Sequence, residues 1–289
     1  MRKREAIIAE KNNLNPEELT NSHKQTPLYF TSGINNYIES PQQVIDIVKK
    51  SFTSMGYDIE QLEKDDRILF DLEVNDKKIN RTYCRSFIPG ESVGICASIY
   101  NDVISLCHLL HETGHGVHFL NSFKWLPNCL KKHNWHISEA VAIMFESLVH
   151  KENLLKGIVP DSVLKDFQEE KTLQDIAVFA LLATSAQFEK ELYKNPEQDL
   201  EELFNKIEKK YCGNNLGFSW FAPHFITTPA YIQNYVRAMI LSDKIYNSTK
   251  TNLGTELSSN PKTAEFMKNR IFGLGKLVND KTLDLLLKL

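Results

Sequence analysis

Apolar positions recur along most of this chain at the three- and four-residue intervals of amphipathic helices, and at alternate positions over one short stretch. Val44, Ile45, Ile47, Val48 and Phe52 mark a first helix, entered through Ser40-Pro41, a cap residue followed by proline at the first helical position. Ile68 to Val74 alternates apolar with acidic residues, Arg81 to Ile88 forms a second extended run ending at Pro89-Gly90, and Ser92 to Tyr100 forms a third. These three runs predict a small antiparallel sheet. After Asn101-Asp102, good N-cap residues, the helical spacing returns with Val103, Ile104, Leu106, Leu109, Leu110, Val117 and Phe119. It persists through Ala140, Val141, Met144, Phe145 and Leu148, then over Leu164 to Leu192, Leu200 to Tyr211, Tyr231 to Ile245 and Pro261 to the end. The expected fold is mainly α with a small antiparallel β-sheet leading into the helix at 103–119. It is read as one domain over 1–289, with an N-terminal helical segment at 1–65, the sheet at 66–100 and a helical region at 101–289.

The helix that follows the sheet carries chemistry. It contains His111-Glu112-Thr113-Gly114-His115, and on a helix positions i and i+4 share a face. His111 and His115 can therefore hold one ion, while Glu112, about 100° round the axis, points at a water beside it, which is the layout of a zinc hydrolase. Catalytic zinc takes three protein ligands and leaves one position open, so a third ligand is required. Glu139 is the best candidate, because it is a carboxylate within an apolar helical stretch and needs a cation there. Glu146, two turns further on the same face, can accept the second ring N–H of a ligating histidine. His108 and His118, on the flanks of the motif, read as solvated surface. Cys107, four residues before His111, reads as core packing.

With 24 residues from His115 to Glu139 and a second glutamate seven further on, the chain resembles the oligoendopeptidase F branch of the thimet-oligopeptidase family, within the gluzincin metallopeptidases. The lead-in Asp102-Val103-Ile104-Ser105-Leu106 is similar to that branch's Asp-Val-x-x-Leu. Angiotensin-converting enzymes have similar ligand spacing, but their supporting acid falls at the position of Ile143 here. The resemblance implies a gluzincin-type helical catalytic domain holding one zinc ion on His111, His115 and Glu139. It also implies that the edge of the last strand, Gly94, Ile95, Cys96, Ala97 and Ser98, binds the peptide backbone, since an edge strand pairs with extended peptides whatever their sequence. In that family a Pro-His-Phe motif precedes a tyrosine-rich helix, matched here by Pro223-His224-Phe225 and Tyr231 to Tyr235. By analogy His224 and Tyr235 stabilise the oxyanion and Tyr231 fixes substrate. The spacing is one residue longer than the family's, and Gln233 stands where its middle tyrosine would be. Little chain precedes the zinc helix compared with the family's long N-terminal half, which leads to the expectation of a cleft open on one side.

The implied function is zinc-dependent hydrolysis of peptide bonds in oligopeptides or exposed protein segments, with Glu112 as general base. A catalytically silent peptide-binding protein on the same fold and a zinc hydrolase of non-peptide substrates are the alternatives. A net charge of -3 gives no footprint for nucleic acid. No apolar run approaches a membrane span, and the N-terminal run of four apolar residues before Glu10 is too short for a secretory signal. Five scattered cysteines without a Cys-x-x-Cys pair read as reduced thiols. These features lead to the expectation of a soluble, cytoplasmic protein.

Overall fold

A computed structural model describes residues 33–75, 78, 82–122, 125–131, 133–212 and 228–287, together with positions 6, 9 and 15. Its helices and strands follow the predicted order: α1 (Pro41–Ser54), α2 (Ile59–Lys64), β1 (Ile68–Asp71), β2 (Tyr83–Ile88), β3 (Ser92–Cys96), α3 (Val103–Leu120), α4 (Trp135–Lys151), α5 (Asp161–Lys194), α6 (Leu200–Tyr211), α7 (Ile232–Leu253) and α8 (Asp280–Leu286). The caps form as the sequence suggests. Ser40 Oγ accepts from Gln43 N ahead of Pro41, and Asp102 Oδ1 accepts from Ser105 N at the start of α3.

Contacts divide the chain into two compact units. The first comprises Gly33–Leu164 and Ala238–Leu289 and contains the sheet, α3 and α4. Its core is built on Phe52, Ile68, Val93, Ile95, Leu106, Leu110, Val141, Phe145 and Leu148, all buried. Burying a side chain of this size contributes about 1.5–3 kcal/mol, so α3 and α4 are held chiefly by their shared apolar faces. The second unit, built around Lys165–Arg237, has its own core, in which Phe188, Phe204, Ile207 and Ile232 meet.

The sheet departs from the expected arrangement in two ways. It is mixed: β3 lies in the centre, antiparallel to β2 and parallel to β1, in the order β1-β3-β2. Gly94, Ile95 and Cys96 are paired on both sides, with Leu69, Phe70 and Asp71 on one and Arg85, Cys84 and Tyr83 on the other. Beyond the strand, Ala97 N donates to Asp71 O. Gly94, Ile95 and Cys96 are therefore not the free edge expected from the family resemblance, while Ala97 and Ser98 lie just beyond the strand. The outer strand on that side is β2, whose Tyr83, Phe87 and Ile88 are exposed. Alternation shows which face of a strand is buried but is silent on which strand lies beside it, so the order could not be read from the pattern.

Helix α3 is squeezed between the sheet and α4, and two glycines make this possible. A Cβ on Gly116 would already touch Ile95, Ile68 and Val93 at 3.3–3.6 Å. On the other side, a Cβ on Gly114 would lie 2.8 Å from Phe145 Cδ2 and 3.3 Å from Ala142 Cα, so α3 and α4 approach backbone to side chain at this point.

Candidate metal centre

The close approach of α3 and α4 brings the sequence-distant ligands together. Among the described residues, His111, His115 and Glu139 form a group whose donor atoms all lie within 4.8 Å of one another. Glu139 Oε2 is 3.5 Å from His111 Nε2 and 3.6 Å from His115 Nε2. Two donors bound to one tetrahedral ion at zinc distances sit roughly 3.4 Å apart, so the carboxylate and both imidazoles are already spaced for a shared ion. The donor set, two imidazole nitrogens and a carboxylate oxygen, is one that suits zinc.

The far nitrogens of both rings are held. His111 Nδ1 lies 3.2 Å from Glu146 Oε2, the partner expected from the two-turn spacing. His115 Nδ1 lies 2.9 Å from Ser138 Oγ, a partner the sequence reading missed. With the Nδ1–H groups donating to these oxygens, each Nε2 is turned toward Glu139. Ser138 precedes Glu139 directly, and a search for hydroxyls next to a candidate ligand would have been the only signal for it.

Electrostatics match this arrangement. Burial on its own would depress the His111 pKa, but its hydrogen bonds to the Glu139 and Glu146 carboxylates outweigh that and hold it up to about 10. Burial would likewise raise Glu139, yet the hydrogen bonds from His111 and His115 hold its carboxyl down to about 2. The cluster thus sets a positive charge against a negative one, and a dication held by His111, His115 and Glu139 would take the place of the imidazolium proton.

Glu112 is buried on α3 between the two histidine positions, and its charge acts on both His111 and Cys84. Cys84 lies on β2, so the outer strand of the sheet runs beside the general-base candidate. Burial, with Glu112 adding to it, pushes the Cys84 thiol far above its usual range, and the thiol stays protonated.

The flanking histidines divide. His108 is exposed as expected, but His118 is fully buried, its ring 3.6 Å from that of His133 and 4.7 Å from Phe272, measured between centroids. His133 and Phe272, from elsewhere in the chain, cover it. Cys107 is buried, in keeping with a packing role.

His224 lies outside the described residues. Tyr231 and Tyr235 belong to the second unit, and their rings meet edge to face at 5.5 Å. Pro229 sits in the preceding turn and does not open the helix, which starts at Ile232, so Tyr231 is the last residue before it.

Comparison with known proteins places this geometry. The structure superimposes on PZ peptidase A in complex with an inhibitor, with a TM-score of 0.67 and 17% identity, over 85% of this chain and 44% of that protein. It also superimposes on an M32 carboxypeptidase from Deinococcus radiodurans R1, with a TM-score of 0.58 and 11% identity, over all of this chain and 70% of the carboxypeptidase. At such identities the likeness is one of fold, and the chain spans less than half the length of PZ peptidase A. A direct search of curated proteins finds no significant match. The model of peptidase family M3, however, matches residues 57–235, from the turn before α2 through the sheet and both metal-site helices to Tyr235. A match over more than half of the chain, across the elements that bring His111, His115 and Glu139 together, shows that the chain belongs to peptidase family M3.

Proposed function

We propose that this protein is a zinc-dependent metallopeptidase of the oligoendopeptidase F type, hydrolysing peptide bonds in oligopeptides or exposed protein segments. The observation that carries the reading is the spacing of the donors, 3.5 and 3.6 Å from Glu139 Oε2 to the two Nε2 atoms, with Glu112 buried on the same helix. His111, His115 and Glu139 would hold the ion, Glu146 would orient His111, and Ser138 would orient His115. Zinc bound there supplies a water acidified toward neutral pH and an electrophile for the scissile carbonyl.

Glu112 then has two tasks. It takes the proton from the attacking water and later delivers it to the leaving amine. The peptide is best accommodated as an added strand along β2, the outer strand whose Cys84 lies within reach of the Glu112 charge. Gly94, Ile95 and Cys96 would then support β2 from behind, with Ala97 and Ser98 beyond the strand left to meet the substrate. Tyr235 and His224 are assigned to the developing oxyanion, for which one donor typically supplies about 3 kcal/mol, and Tyr231 to substrate binding.

The intact Glu112 favours an enzyme over a silent peptide-binding protein. The decisive experiment uses Glu112→Gln, which keeps size and hydrogen bonding while removing the base. Zinc content is expected to match the parent, with chelator-sensitive turnover of a mixed peptide library abolished. Parent protein that binds zinc and cuts no peptide, or Glu112→Gln with parental turnover, would refute the proposal.

A further inference from the structure

The turn that leads into Tyr231 is held in a conformation its own residues do not favour. Thr228-Pro229-Ala230-Tyr231 is closed by Tyr231 N donating to Thr228 O at 3.2 Å, with proline second and alanine third. Ala230 has φ +57°, the left-handed region, and in turns with proline second and a positive φ third that third place belongs to glycine. An alanine stays there only when its surroundings hold it. Two contacts do so. Gln233 Nε2 donates to Ala230 O at 3.0 Å on the exposed side, and Ala230 N donates to Glu189 Oε1 at 2.5 Å.

Glu189 is buried on α5, and the same Oε1 accepts from Tyr193 OH one turn further along. Its neighbour Phe188 shares the core of the second unit with Ile232, the first residue of α7. Two adjacent residues of α5 thus grip the chain on either side of Tyr231, one through the shared apolar core and one through a hydrogen bond to an ionisable acceptor. The short Ala230–Glu189 bond fixes the backbone one residue before Tyr231, and the Tyr231–Tyr235 ring pair follows from that backbone.

We propose that Glu189 is a positioning residue, which acts through the Ala230 N–H to hold the turn and so to set where Tyr231 and Tyr235 present their hydroxyls. The proposal rests on the functional reading in assigning those tyrosines to substrate and oxyanion, but the anchoring itself does not depend on activity. Two variants separate the possibilities: Glu189→Ala removes the acceptor, and Glu189→Gln keeps a carbonyl oxygen for the Ala230 N–H. In Glu189→Ala, kcat is expected to fall roughly 10- to 100-fold, the size of effect a misplaced catalytic group produces, with KM raised through Tyr231 and zinc content close to parental. Amide hydrogen exchange at 230–235 should quicken in that variant while the rest of α5 and α6 stays protected. Glu189→Gln should resemble the parent in both measurements. Parental kcat and parental protection in Glu189→Ala would overturn the proposal, and so would loss of protection throughout Lys165–Arg237, which would make Glu189 a general folding residue. If the parent shows no peptide turnover, the functional reading fails, and the exchange measurement still decides whether Glu189 anchors the turn.

Discussion

Replacing Gly114 by alanine would place a Cβ 2.8 Å from Phe145 Cδ2 and 3.3 Å from Ala142 Cα, on the line where α3 meets α4. The Phe145 ring is fully buried against Phe52, 5.0 Å away between centroids, and Tyr57, so it has little room to yield. The overlap is relieved by moving α4 outward by a few tenths of an ångström. In isolation, Gly→Ala in a helix interior gains about 1 kcal/mol of helix propensity, whereas overpacking a core costs about 1–3 kcal/mol, so the net loss in stability is about 0–2 kcal/mol. The larger consequence is at the metal centre. Ala142 is three residues from Glu139 and Phe145 is next to Glu146, so the shift carries both carboxylates away from His111 and His115. Zinc affinity is expected to fall roughly tenfold or more, the scale at which support of a ligand usually matters. Competition with a chromogenic chelator gives the affinity, and thermal unfolding of the metal-free protein gives the stability. Zinc affinity unchanged from the parent in G114A would refute the claim that this glycine sets the distance between the two ligand-bearing helices.

Three further outcomes follow from the same geometry. Glu146→Ala and Ser138→Ala should each weaken zinc binding about 10- to 100-fold, because each frees the Nδ1 of one ligating histidine, and isothermal titration with zinc checks both. Glu139→Ala should lose zinc and peptide hydrolysis together, since two histidines leave the ion short of protein ligands, and metal analysis alongside turnover tests it. The buried His118–His133 pair should make the metal-free protein acid-labile. Burial, reinforced by each other's charge and that of His115, holds His118 well below its ordinary value, and burial holds His133 down to about 3. Both rings are therefore neutral in the folded state and take up protons on unfolding below about pH 6.5. Their contribution is complete above that pH and is lost as pH falls toward 3, by up to about 1.4 kcal/mol per pH unit for each ring. Urea midpoints at pH 7 and pH 5 for the parent and His118→Phe check it, and parallel losses in the two proteins would show that the pair is not responsible.

The chain alone determined most of its helices, their caps and the three side chains that come together as candidate metal donors. Those features depend on neighbours in sequence: the four-residue step that puts His111 and His115 on one face, the Ser40 and Asp102 caps, and the apolar stripe that buries α3. Glu146 as the partner of His111 was also readable, because Glu139 and Glu146 are two turns apart on a single helix. Tertiary structure decided what depends on distant neighbours. Strand order was one such matter, since β1 adds to the far side of β3 and an alternating pattern carries no information about which edge is taken. The burial of His118 was another, because only the arrival of His133 and Phe272 from elsewhere in the chain removes it from water. The grip of Glu189 on Ala230 joins residues 41 positions apart, and a lone glutamate in a charged helix reads as solvated until the fold places a backbone N–H against it. Gly114 belongs to the same group. In sequence it is an unremarked residue inside the histidine motif, and it acquires its role only where two helices must come close enough for a carboxylate on one and imidazoles on the other to share an ion.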